Sequence, residues 1–220
     1  MVLRIIGDVH TSWFHYHKIR EYGKYDFSVQ VGDFGIGMSE YGRYDPPNLG
    51  IKDFFIRGNH DDPDKCAVHP NYLGDYGFSG ELNIFFLSGG ETPSTLRVGN
   101  PWFEKEQLDY QTLADAIMAY EKVKPSIVIS HECPTAAKIR LAQSLFVPSH
   151  TTGAMDMMFQ AHKPDLWVFG HYHKDFRENI LGTYFICLDA LNFIDIETLA
   201  DQSDIINNAE TINNAKKIYL

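Results

Sequence analysis

Val2-Leu3-Arg4-Ile5-Ile6-Gly7-Asp8-Val9-His10 opens the chain: a short apolar run breaks at glycine and gives way to a carboxylate and an imidazole two residues apart. An extended backbone aims both of those side chains to the same side. The same pattern recurs along the sequence. Phe27, Val29 and Val31 alternate toward Gly32-Asp33, and Phe54-Phe55-Ile56 runs toward Gly58-Asn59-His60-Asp61. Ile127-Val128-Ile129 leads to Ser130-His131, and Leu166 to Phe169 ends at Gly170-His171-Tyr172-His173. Each run reads as a strand that finishes in polar residues.

Between the strands lie helix signals. An amphipathic segment runs from Phe14 to Tyr22, a stretch of helix-forming composition from Glu104 to Lys122 stops at Pro125, and another from Ala154 to His162 stops before Pro164. Further strands are expected at Ile84 to Leu87, Tyr184 to Leu188 and Phe193 to Ile196, with a glycine-, tyrosine- and proline-rich loop from Gly35 to Gly50. Alternating strands and helices predict an α/β architecture, in which ligands gather at the carboxyl ends of strands. With no internal repeat or low-complexity linker, residues 1–200 are expected to form one domain, and the polar residues 201–220 a peripheral C-terminal segment of it.

Composition narrows the function classes. The 220 residues are 44% hydrophobic and 22% charged, as in a soluble globular domain. Acidic residues outnumber basic ones by 29 to 19, giving a net charge of -10, which disfavours nucleic-acid tracks and anionic membranes. No apolar run approaches the roughly 18 to 20 residues of a membrane span, and the N-terminus lacks signal-peptide regions, so a cytoplasmic location is expected. Cys66, Cys133 and Cys187 are scattered without a C-x-x-C pair, which argues against a disulfide framework or a thiolate zinc site.

Taken singly, the polar motifs are ordinary: Asp8 or Asp33 would cap a turn, Asn59 would form one, and His131 would be structural. Their joint order, Asp-x-His, Gly-Asp, Gly-Asn-His-Asp, His, Gly-His-x-His, is far more specific. In that order the chain resembles the calcineurin-like metallophosphoesterase superfamily, over Asp8 to His173. The resemblance implies a four-layer αββα sandwich of two mixed sheets flanked by helices, with a dinuclear metal site at the strand ends. It implies that Asp8, His10 and His173 bind one ion, that Asn59, His131 and His171 bind the other, and that Asp33 bridges them. His60 becomes the general acid, and Asp61 stands well placed to orient it.

The chemistry of these residue types is consistent with that assignment. Oxygen and nitrogen donors suit divalent ions, and a carboxylate bridges two ions better than an amide does. The expected cofactors are two divalent metal ions, manganese first, with iron, zinc, nickel or cobalt as alternatives. Two carboxylates against two divalent ions leave a site of charge about +2, which attracts phosphate. The expected reaction is hydrolysis of a phosphate ester by a metal-bridging hydroxide, with His60 protonating the leaving alkoxide. Two other readings are a nuclease or cyclic-nucleotide phosphodiesterase with the same chemistry, and an inactive scaffold of the same fold. The chain lacks the Asp-Arg-Gly element of the phosphoprotein phosphatase branch, since Gly32-Asp33 continues as Phe34-Gly35. Arg43, Arg57 and Arg97 are candidate replacements for its phosphate-holding arginine, and His69 and Tyr72 candidate pocket residues.

Overall fold

The computed structural model describes residues 1–38, 48–93, 97, 102–141 and 149–198. In chain order the elements are β1 (Val2–Ile6), α1 (Trp13–Glu21), β2 (Phe27–Gln30), β3 (Asp53–Phe55), α2 (Pro63–Ala67), β4 (Tyr76–Ser79) and β5 (Ile84–Leu87). They continue as α3 (Tyr110–Val123), β6 (Ile127–Ser130), α4 (Thr135–Leu141), α5 (His150–Ala161), β7 (Leu166–Phe169), β8 (Phe176–Ile180), β9 (Thr183–Cys187) and β10 (Phe193–Glu197).

Two mixed sheets result. The first runs β10-β1-β2-β3 and the second β4-β5-β6-β7-β9-β8. The strands that lead to the polar motifs are parallel within each sheet, and β10, β4 and β8 add antiparallel edges. Continuous apolar runs arise because the central strands are buried on both faces. Along β7, Leu166 and Val168 face the first sheet, while Trp167 and Phe169 face the helices α3 to α5. Along β1, Leu3 and Ile5 enter the layer between the sheets, and Ile6 packs with α1 on the outer side. Three apolar layers therefore separate four layers of backbone, the predicted αββα sandwich. Each fully buried Leu, Ile, Val or Phe contributes about 1.5–3 kcal/mol of transfer free energy.

Arg4 is an exception inside this core. It is fully buried on β1, directly across from Asp195 on β10, and its Nε and Nη2 donate to the two carboxylate oxygens at 2.7 Å each. Its Nη1 donates to the carbonyls of Ile19 and Tyr22 at the end of α1. One guanidinium thus joins β1, β10 and α1.

The helix predicted from Glu104 starts instead at Tyr110. Asp109 accepts from the Thr112 N–H at 2.8 Å as N-cap, and the upstream Lys105 and Glu106 carbonyls accept from the Arg57 guanidinium rather than from a helix ladder. Capped by Ser149, α5 likewise starts at His150, four residues before the expected Ala154. Strands β4 and β8 and helices α2 and α4 are additions to the predicted elements. Arg43, part of the loop expected over Gly35 to Gly50, and the segment 201–220 lie outside the described residues.

Candidate metal centre

Asp8, Asp33 and Asn59 follow β1, β2 and β3 of one sheet; His131, His171 and His173 follow β6 and β7 of the other. The loops are stitched together by backbone: the N–H groups of Val9 and His10 both donate to the Asp33 carbonyl, at 3.0 and 2.9 Å. Side chains approach so closely that two glycines are required. A Cβ on Gly58 would collide with Asp33 Oδ1, and one on Gly170 with Asp8 Oδ1. The backbone is also strained at the motif residues themselves. His10, Asp33, His171 and His173 have φ of 46°, 55°, 69° and 48°, in the left-handed region that L-residues seldom adopt.

The ligating atoms converge in two groups. In the first, atoms of Asp8, His10, Asp33 and His173 all lie within 4.8 Å of one another. His173 Nε2 is 3.0 Å from Asp8 Oδ2, and His10 Nε2 is 3.7 Å from it. The Nε2 atoms of His10 and His173 face each other at 2.9 Å. In the second group, Asp33, His131 and His171 meet within the same limit. Asn59 Oδ1 joins them, 3.0 Å from both His131 Nε2 and His171 Nδ1. Asp33 belongs to both groups, its Oδ2 being 3.8 Å from His10 Nε2 and its Oδ1 3.3 Å from His131 Nε2.

The donor chemistry fits divalent cations. His131 Nδ1 lies 2.9 Å from the Val31 carbonyl and donates its proton there, which turns the Nε2 lone pair toward Asn59 Oδ1. Lone pairs that face each other at such distances need a proton or a metal ion between them. Without metal the protons fill that need. Burial alone would lower the His131 pKa, but the Asp33 carboxylate raises it to about 10. Burial pushes the other way for the carboxylates, yet contacts with His10 and His173 hold Asp8 at about 2, and His131 holds Asp33 far below the usual range. His171, buried beside the His131 cation, is pushed down to about 4 and stays neutral.

The structure thus brings together all seven predicted ligands, with His60 at their side. The His60 N–H donates to Asp33 Oδ1 at 2.7 Å, its ring packs edge-on to His10 at a centroid distance of 5.4 Å, and its buried Nδ1 has no hydrogen-bond partner. Asp61 does not orient it. The Asp61 carboxylate accepts instead from the N–H groups of Phe34, Gly35, Ile36 and Gly58 at 2.7–3.1 Å. The candidate phosphate arginines are committed elsewhere: Arg57 to Asp75 and to two backbone carbonyls, Arg97 to Glu91, Glu106 and the Thr92 carbonyl. His69 and Tyr72 pack on Phe55. Three residues that sequence reasoning missed surround the second group. Glu132 stands 3.8 Å from His171 Nε2, and Thr92 with Glu106 lies behind Asn59. Glu132 directly follows a motif histidine, the one local signal available.

Two clusters that could each hold a metal ion thus share a carboxylate at the seam of an αββα sandwich. The chain belongs to the calcineurin-like phosphoesterase family, whose model matches residues 1–175. No curated protein matches it. Among solved structures it is similar to the phosphopantetheinyl hydrolase of Mycobacterium tuberculosis, at 13% identity and a TM-score of 0.51, covering 86% of this chain and 90% of that one. It is also similar to GAP50, the anchor in the inner membrane complex of Plasmodium, at 10% identity and a TM-score of 0.50, covering 97% and 96%. At these identities the likeness is one of fold. Among the described residues no helix is long and apolar enough to cross a membrane.

Proposed function

We propose that the protein is a metal-dependent phosphatase that hydrolyses phosphate esters, with Asp8, His10 and His173 holding one divalent ion, Asn59, His131 and His171 the other, and Asp33 bridging. The carrying observation is the pair of clusters with Asp33 in common. When bound, two such ions supply an activated water and stabilise the oxygens of an in-line displacement. The chain's own residues do the rest. His131 presents its Nε2 because Nδ1 is taken up by Val31 O, and the left-handed backbone at His10, Asp33, His171 and His173 sets where those donors stand. His60 stands beside the first cluster with its ring edge-on to His10, the position from which it would hand a proton to a leaving alkoxide. The complete ligand set favours this reading over an inactive scaffold.

A panel of phosphomonoesters, phosphodiesters, nucleotides and single-stranded nucleic acid, assayed with added Mn²⁺, tests it. Turnover is expected for small monoesters; turnover of diesters or nucleic acid alone would move the protein to the phosphodiesterase or nuclease class. His60→Ala should lower turnover of an alkyl phosphate by about 10²- to 10⁴-fold with both ions retained. Full activity of that variant on an unactivated ester would refute the acid role.

A further inference from the structure

Asn59 is the one proposed ligand whose donor atom depends on which way a symmetric-looking group is turned. Its Oδ1 can face an ion only if its NH₂ faces away. Behind it lies a buried chain of hydrogen bonds. Asn59 Nδ2 donates to Thr92 Oγ1 at 2.9 Å, and that hydroxyl donates to Glu106 Oε2 at 2.6 Å. The Thr92 backbone N–H takes the other carboxylate oxygen at 3.0 Å, and Arg97 Nη2 donates to that same oxygen at 2.7 Å. Asn59, Thr92 and Glu106 are each only 2% exposed, so water does not compete.

The direction of every bond follows from the carboxylate. Glu106 only accepts, so the Thr92 hydroxyl proton is committed to it and the hydroxyl meets Asn59 with a lone pair. A lone pair there accepts from NH₂ and repels a carbonyl oxygen, so Asn59 Oδ1 turns toward His131 and His171. Burial raises the Glu106 pKa, the bonds from Thr92 and the Arg97 cation oppose that rise, and Arg97 is itself fixed by the Thr92 carbonyl and Glu91. The backbone around the chain is anchored as well: Arg57 donates to the Glu106 carbonyl, and a Cβ on Gly90 would lie 2.9 Å from the His131 ring.

We propose that Thr92 and Glu106 are positioning residues that orient the Asn59 amide and so set affinity for the second ion alone. This rests on the two-ion reading above. The test uses Mn²⁺ titration of the full chain, followed by calorimetry and electron paramagnetic resonance, with melting of the metal-free protein as control. Wild type should hold two ions with a coupled-pair spectrum. Thr92→Val, which keeps shape and removes the hydroxyl, should weaken the second ion by about 10- to 100-fold and leave an isolated-ion spectrum with the first ion unchanged, while the metal-free melting point falls because the Asn59 amide and a Glu106 oxygen each lose a buried partner. Thr92→Ser should restore the second ion. Glu106→Gln, which frees the hydroxyl proton, should show the same selective loss, and it decides the matter should Thr92→Val not fold. Two ions bound at wild-type affinity in Thr92→Val and Glu106→Gln would overturn the inference, and so would an equal loss of both ions. A wild-type protein holding fewer than two ions would instead sink the two-ion reading itself, and the inference with it.

Discussion

Asp61 sits one residue from the proposed acid and never faces the reaction centre, yet the two halves of Asp33 and Asn59 geometry meet in it. Its carboxylate gathers three successive N–H groups past Asp33 and one just before Asn59. Burial and the nearby Asp33 charge raise its pKa, while those N–H bonds oppose the shift. Replacing it by alanine strands four buried donors, at a cost of about 3 kcal/mol or more. Urea unfolding of metal-free Asp61→Ala should show this loss, with Asp61→Asn intermediate because one acceptor oxygen survives. An unchanged midpoint for the alanine variant would mean that water replaces the carboxylate. The residues of the centre were legible because each lies within a few positions of a strand end. Thr92 and Glu106 were not: their meeting with Asn59 depends on long-range folding, and the composition around Glu106 reads as helix.

Among elements, β10 carries more than its place at the end of the described chain indicates. It pairs antiparallel with β1, and Asp195 neutralises the buried Arg4 through two parallel hydrogen bonds. Removing the carboxylate leaves a guanidinium in the core, and breaking such a pair costs about 3 kcal/mol. Asp195→Ala should therefore lower the urea midpoint strongly while Asp195→Asn loses less; equal midpoints for Asp195→Ala and wild type would show the pair to be dispensable. The central strands were readable from their apolar runs, since both faces are covered. The edges were not. β4 has Gly77 and little burial, β8 reads Phe-Arg-Glu-Asn-Ile with its polar residues half-buried or exposed, and α2 has five residues and α4 seven, too few for periodicity to show.

At the scale of the whole molecule, phenols held out of water tie stability to pH, Tyr16, Tyr72, Tyr120 and Tyr172 among them. Burial raises Tyr16, Tyr72 and Tyr120 far above the ordinary 10.0, helped at Tyr16 by the Asp53 charge and at Tyr72 by Asp75. Unfolded, these groups ionise near pH 10; folded, they keep their protons. Stability from this source is full below pH 10 and falls above it, by up to about 1.4 kcal/mol per pH unit for each phenol. Urea midpoints of the metal-free protein at pH 8, 10 and 11 should trace that decline, and Tyr120→Phe should flatten it; an identical slope in the variant would remove Tyr120 from the account.

Each cluster takes donors from both sheets: Asp8, His10 and Asp33 with His173, and Asp33 and Asn59 with His131 and His171. Ion occupancy is thus a gauge of the spacing between the sheets. Val31, Ile129 and Val168, which fill the layer between them just below the centre, set that spacing without touching an ion. A looser layer would draw these donors apart while every helix and strand remained in place.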